Sequence, residues 1–150
     1  MTRTDFLPRL AYISLAIAVF VIDQAAKVWV TGNMLFGESI SVISGFLNLT
    51  HAQNPGVAFS MLDNLGDAGR WGLSSIAIFA MGVVLYFIWR TRRTDVLTLS
   101  ALSLLLAGIM GNVTDRIRLG FVVDFIDVQI GSWHYDVFNI ADAAICLGAG

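Results

Sequence analysis

Residues 111–142 read GNVTDRIRLGFVVDFIDVQIGSWHYDVFNIAD and follow a long apolar run suited to a membrane. Asp115, Arg116, Asp124, Asp127, Asp136 and Asp142 arrive within this short span. Ionisable groups at or near bilayer depth are costly and mark functional sites by default. Asp124 closes an apolar segment and Asp142 opens the last apolar helix. Two carboxylates in a partly desolvated place are the minimum equipment for acid/base activation of water. Aspartates also serve as helix caps and turn residues. Asp127 and Asp136, which flank the Gly131-Ser132 turn, are read in that second way, as charges facing water.

Composition sets the class. The chain has 150 residues, 57% hydrophobic and 13% charged, and a mean hydropathy of +0.75. Soluble domains carry about 25% charged residues, so a polytopic membrane protein is expected. The net charge of −2 and the lack of any Lys/Arg-rich tract give no footing for nucleic acid. A lone cysteine, Cys146, rules out an intrachain disulfide and a cysteine metal cluster. His51 and His134 are far apart and lack zinc-ligand spacing. No metal or cofactor is expected.

Working back to the N-terminus, a first span is expected over about residues 10–30, long enough to cross roughly 30 Å of hydrocarbon. It contains Asp23 and Lys27, four apart and therefore on one helix face, where they can pair in an architectural role. Gly37 to Val42 and Phe46 to His51 alternate polar and apolar residues, which predicts short strands. Asn54-Pro55-Gly56 then reads as a turn, and residues 63–70 as a loop or a short interfacial helix.

Further spans are expected over about 71–89, anchored by Trp71 and Trp89, and over about 96–113. The link between them carries Arg90, Arg92 and Arg93, which places it in the cytoplasm together with Arg3 and Arg9. The third span should leave the membrane near residues 112–116, on the outer face. Residues 121–128 and 133–137 suggest a hairpin around Gly131-Ser132. A fourth span starts near Phe138, but the 13 residues from there to Gly150 make only about 20 Å of helix, so this span is read as truncated. The expected architecture is a single all-α membrane domain of four spans with a small β-sheet, or cradle, at the outer interface.

This topology brings Asp23, Lys27, Asn54, Asn112, Asp115, Arg116, Asp124, Asn139 and Asp142 to one membrane level. Independent caps would have no reason to share a depth. Close approach of Asp124 and Asp142 would raise one pKa and couple the two. Asn54, Asn112 and Asn139 offer amides to an extended peptide. Arg116 either pairs with Asp115, holds a carbonyl or lipid ester, or snorkels at the interface. The single lysine, Lys27, has Asp23 as its natural partner, which speaks against a Ser–Lys dyad, and there is no HExxH motif. The alternative class is a small proton- or ion-coupled transporter using intramembrane carboxylates. Such proteins show internal repeats and a midplane site, and neither is visible.

Five short motifs resemble the bacterial lipoprotein signal peptidase, or signal peptidase II, family. They are Asp23-Gln24-x-x-Lys27, Asn54-x-Gly56-x-Ala58-Phe59, Gly111-Asn112-x-x-Asp115-Arg116, Val123-Asp124-Phe125-Ile126 and Phe138-Asn139-x-Ala141-Asp142. Each alone is weakly specific; five in order, from the first span to the last, are strong. The resemblance implies a four-helix inner-membrane aspartic endopeptidase that removes signal peptides from prolipoproteins, cutting before a cysteine that bears diacylglycerol. It implies Asp124 and Asp142 as the catalytic pair and Asn54, Gly56, Asn112, Arg116 and Asn139 as substrate-site residues. Asp23, Lys27 and Asp115 remain architectural. The partners implied are the lipidated prolipoprotein, membrane lipid and the inhibitor globomycin, with the active site near the outer face of the bacterial cytoplasmic membrane.

Overall fold

A computed structural model describes residues 3–56, 67–131 and 133–150, with side chains from residue 9 onward and excluding that of residue 67. Ala58, Phe59, Ser132 and the expected loop at residues 63–66 lie outside the described residues. Among the described residues, four helices and four strands follow in the order α1 (Arg3–Asn33), β1 (Ser39–Ile43), β2 (Leu47–Asn54), α2 (Asp67–Arg90), α3 (Val96–Leu119), β3 (Val122–Ile130), β4 (Trp133–His134) and α4 (Ile140–Ala149).

Among the described residues, α1, α2 and α3 are long and apolar enough to cross a membrane. Their outward faces are hydrocarbon-like: Phe79, Ile76 and Tyr86 on α2 and Val21, Ile22 and Val28 on α1 are all exposed. Inward, Ala16, Val84, Ile88, Leu99, Leu106 and Ala107 form the core that holds the three helices together. The helices extend past the expected spans. In particular α3 continues to Leu119, so Asn112, Asp115 and Arg116 lie inside a helix rather than at its exit. Asp95 caps its N-terminus by accepting the Thr98 N–H, and Gly120 ends it at a left-handed φ of 90°. Arg70 completes that C-terminus, donating from Nε to the Arg116 carbonyl at 2.7 Å and from a terminal nitrogen to the Ile117 carbonyl. The ten described residues of α4 amount to about 15 Å of helix, short of a crossing.

Small residues let α4 sit against α3. A Cβ on Gly108 would strike the Ala141 carbonyl and Ile145, and one on Gly111 would lie 2.7 Å from Asp23 Oδ2 and 2.8 Å from the Ala141 Cβ. Close backbone approach is a use only glycine serves. It brings the first turn of α4 within reach of the polar residues of α1 and α3.

The sheet is antiparallel in the order β1-β2-β3-β4. The expected short strands pair as β1 and β2, and the expected hairpin forms between β3 and β4. The pairing of β2 with β3, with Asn48 opposite Asp127 and Asn54 opposite Val122, joins them into one surface. A bulge in β2 between Leu49 and Ala52 bends that strand. Val30 of α1 and Met34, just after that helix, pack with Val123 and Phe125 of β3, fixing the sheet to the end of the first helix. Connectivity places the whole sheet at one end of the helices and residues 91–95 at the other. Arg9 stacks over Trp89 at 5.2 Å and donates to the Thr91 carbonyl, so the N-terminal arginine shares the end with Arg90, Arg92 and Arg93.

Candidate active site

The carboxylate of Asp124 projects from β3 into the junction of sheet and helices and is 2% exposed. What brings Asp142 to it is a short backbone bridge. Beyond β4 the chain returns to β3, where Phe138 and Ile126 exchange backbone hydrogen bonds at 2.7 and 3.0 Å. The next residue, Asn139, is thereby set beside Asp124. It starts α4 through a capping box: its Oδ1 accepts the Asp142 N–H at 2.8 Å, and Asp142 Oδ2 accepts the Asn139 N–H at 3.3 Å. The amide of Asn139 then donates to Asp124 Oδ1 at 2.6 Å. Asn112, on α3, donates to Asp142 Oδ1 at 2.7 Å, and its own Oδ1 accepts from Asn139 at 3.3 Å. Two asparagines thus link the two carboxylates.

A second layer holds Asn112 and α4 in place. Lys27 Nζ lies 2.9 Å from Asp23, 2.9 Å from Asp115 and 3.3 Å from Asn112 Oδ1, so all three of its protons are engaged. Asp23 also accepts the Ala141 N–H at 2.9 Å, and Asp115 accepts the Val123 N–H at 3.2 Å. One lysine with two carboxylates therefore ties α1 and α3 to the start of α4 and to β3. Lys27 and Asp115 are each 3% exposed and Asp23 is fully buried. The expected Asp23–Lys27 pair forms, but it is one arm of a larger cluster. The suggested Asp115–Arg116 pairing gives way to Asp115–Lys27, since successive residues of a helix do not face each other. Arg116 lies within electrostatic reach of Asp142, Asp124 and Asp115.

Asn54, the last residue of β2, approaches Asp124 from the sheet. Its Oδ1 accepts the Gly56 N–H at 2.9 Å, which leaves its amide to donate to Asp124. Gly56 adopts φ +101°, a left-handed geometry natural to glycine, and a Cβ there would collide with Leu73. Burial pushes the Asp124 pKa up to about 6; the charge of Asp142 adds to this, while hydrogen bonds from Asn54 and Asn139 act against it. A carboxyl group that takes up a proton below about pH 6 stands beside a second carboxyl group at the positive end of a helix. The two carboxyl groups thus belong to one hydrogen-bonded unit.

Every expected site residue falls in or beside this constellation. Asp127 is the correction. Instead of facing water it is 5% exposed, covered by Asn48 and Thr50 of β2 and His134 of β4. Asp136 is exposed as expected. Gln24, absent from the expected site, donates to Asp115 at 3.1 Å and Asp23 at 3.2 Å, and its signal was its place beside Asp23 in the first motif. Arg70 gave no signal, because its partners are main-chain carbonyls at a distant helix end.

The model of the family described as signal peptidase (SPase) II matches residues 15–150. The chain belongs to the signal peptidase II family. Lipoprotein signal peptidases of Pseudoalteromonas atlantica, Serratia proteamaculans and Syntrophus aciditrophicus are 43%, 41% and 41% identical to it over 140, 140 and 143 residues. These matches cover 93%, 93% and 94% of this chain and 85%, 82% and 88% of the relatives. Two solved structures of a bacterial membrane enzyme, obtained in meso at 2.3 and 1.9 Å resolution, superpose with TM-scores of 0.83 and 0.84 at 34% identity. Both matches cover 93% of this chain, and 82% and 87% of those chains respectively. As a signal peptidase II the protein is a membrane protease, and the transporter alternative finds no support.

Proposed function

We propose that the whole chain is one integral-membrane peptidase domain that removes the signal peptide from diacylglyceryl-modified prolipoproteins, with Asp124 and Asp142 as its catalytic pair. The observation that carries this reading is the linkage of the two carboxylates through Asn139 and Asn112, with the Asp124 pKa raised by burial to about 6. One carboxylate of the pair takes a proton from water while its protonated partner polarises the scissile carbonyl. The water oxygen adds to that carbonyl, and the proton passes to the departing amine as the peptide bond breaks. Asn54 and Arg116 border the carboxylates and offer donors to the extended substrate backbone and its developing charge, and Gly56 holds the Asn54 side chain at the edge of the substrate site. Asp23, Lys27 and Asp115 are architectural.

The relatives' shared name, lipoprotein signal peptidase, supports a lipidated prolipoprotein as substrate, with cleavage just before the lipidated cysteine. Globomycin-type inhibitors would occupy the same site. Basic loops favour the cytoplasm, and Arg90, Arg92 and Arg93 support an orientation with the opposite end, sheet and site at the outer face of the cytoplasmic membrane. The test is hydrolysis of a diacylglyceryl-modified signal peptide by purified protein in detergent. Cleavage before the modified cysteine, abolished in Asp124→Asn, is the expected result; equal cleavage of the unmodified peptide would remove the lipid from the account.

A further inference from the structure

Asp127 and Asp124 are three residues apart on β3, so their side chains leave opposite faces of the strand. Asp127 therefore cannot share the water or the scissile bond assigned to Asp124. Its environment is nevertheless built. Oδ2 accepts from the Thr50 hydroxyl at 2.8 Å and from the Asn48 amide at 3.4 Å, and Oδ1 accepts from His134 Nε2 at 2.6 Å. An ionised carboxylate only accepts, so it fixes the direction of every hydrogen bond that reaches it. Thr50 must donate its single proton to Asp127, which obliges Ser39, 2.8 Å away on β1, to donate to Thr50. His134 must carry a proton on Nε2, and in the neutral ring Nδ1 then accepts from Gln129 Nε2 at 2.9 Å. One carboxylate thus orders a chain of hydrogen bonds across all four strands, from Ser39 to His134.

We infer that Asp127 is a positioning residue for the Asp124–Asp142 unit. Neighbouring strands of an ordinary hairpin are held by their backbone ladder, but β4 has only two residues, paired with Gln129 and Ile130. The clasp from Asp127 to His134 supplements that short ladder. Directly after β4 come Tyr135, Phe138 and Asn139, which bridge to β3 and start α4. Trp133, Tyr135 and Phe138 also wall an apolar cavity of about 330 Å³ that reaches Asp142. Loosening β4 releases both the wall and the residue that hydrogen-bonds Asp124. The inference rests on the proposed catalytic role of Asp124 and Asp142.

The test uses the full chain in detergent micelles with a diacylglyceryl-modified signal peptide as probe. Asp127→Asn is expected to lower kcat about tenfold or more, as small misplacements of reacting groups do, with little change in KM. Weakening the Asn139 hydrogen bond should also move the kcat/KM limb belonging to Asp124 to higher pH, which a loss of folded protein alone does not do. Thr50→Val and His134→Ala should show the same two changes in smaller measure, and His134→Gln, which retains a donor, should recover most of the loss. Folded Asp127→Asn with wild-type kcat and an unmoved limb overturns the inference. If Asp127→Asn does not fold, Thr50→Val and His134→Ala decide by the same criteria, and two unchanged profiles overturn it. Asp124→Asn, run alongside, separates the two levels: turnover by that variant refutes the catalytic reading itself.

Discussion

The amide nitrogen of Asn139 lies 2.6 Å from Oδ1 of Asp124. Because the same asparagine caps α4 through the Asp142 N–H, a single side chain sets both carboxylates. Asn139→Ala should therefore fail in two separable ways. Loss of the cap costs about 1 kcal/mol of stability, read as a modest fall in melting temperature. Loss of the link between the carboxylates should lower kcat about a hundredfold. A melting shift with undiminished turnover would show that the cap is all Asn139 provides.

Lys27 is shared by Asp23, Asp115 and Asn112 in a buried place. Removing it strands two carboxylates, and breaking a buried ionic group by removing one partner costs about 3–5 kcal/mol. Lys27→Met should thus lose most of its folded yield. Adding Asp23→Asn alone should restore little, since Asp115 stays uncompensated; the triple variant with Asp115→Asn should recover substantially. Equal stability of the single and triple variants would show that the cluster is not architectural.

The raised pKa of Asp124 has a sign that can be checked. A carboxyl group whose folded pKa exceeds its unfolded value favours folding fully below the unfolded value, near 3.9. That contribution is lost as pH rises through about 6. Asp124→Asn should therefore gain in stability relative to wild type between about pH 4 and pH 6 and hold the gain above. In kcat/KM the same titration should appear as a limb near pH 6, on whose alkaline side the pair has lost its shared proton. A stability difference independent of pH would contradict the assignment of that proton.

Asp127 behaves in the opposite sense. Burial opposes its charge, but hydrogen bonds from Thr50, His134 and Asn48 outweigh this and hold its pKa below the ordinary value. Its contribution is present above the unfolded pKa and lost as pH falls through the folded one. Asp127→Asn should be less stable than wild type at neutral pH, with the gap closing in strong acid, whereas Asp136→Asn, at an exposed position, should match wild type at neutral pH. Thermal melts across pH check both.

Where sequence and structure agree, the reason is local. The spans are continuous apolar runs, and the strands of the first hairpin alternate with period two, so neither needs knowledge of distant residues. The motif residues converge because topology alone returns α1, α3 and α4 to one end. Asp127 was misread because its cover comes from Asn48 and Thr50, almost eighty residues earlier, through a strand pairing that local pattern does not encode. The cation that pairs with Asp115 was not legible for a similar reason, Arg116 being only one of the alternatives the sequence offers. The neighbour of Asp115 in sequence is Arg116, but its neighbour in space is Lys27, brought over by the packing of α1 on α3. The extension of α3 to Leu119 was hidden by polar residues that read as an exit and in fact face Lys27 and Asp142.

The most direct test of the central claim is single-turnover cleavage of a diacylglyceryl-modified signal peptide by Asp124→Asn, Asp142→Asn and the double variant. Melting and inhibitor affinity are measured on the same preparations. Groups acting as one catalytic unit are not additive. Each single variant should therefore lose about 10⁴-fold in rate, nearly as much as the double, while fold and globomycin-type inhibitor binding persist. Substantial turnover by folded Asp142→Asn, or single losses that multiply to give the double, would contradict the account.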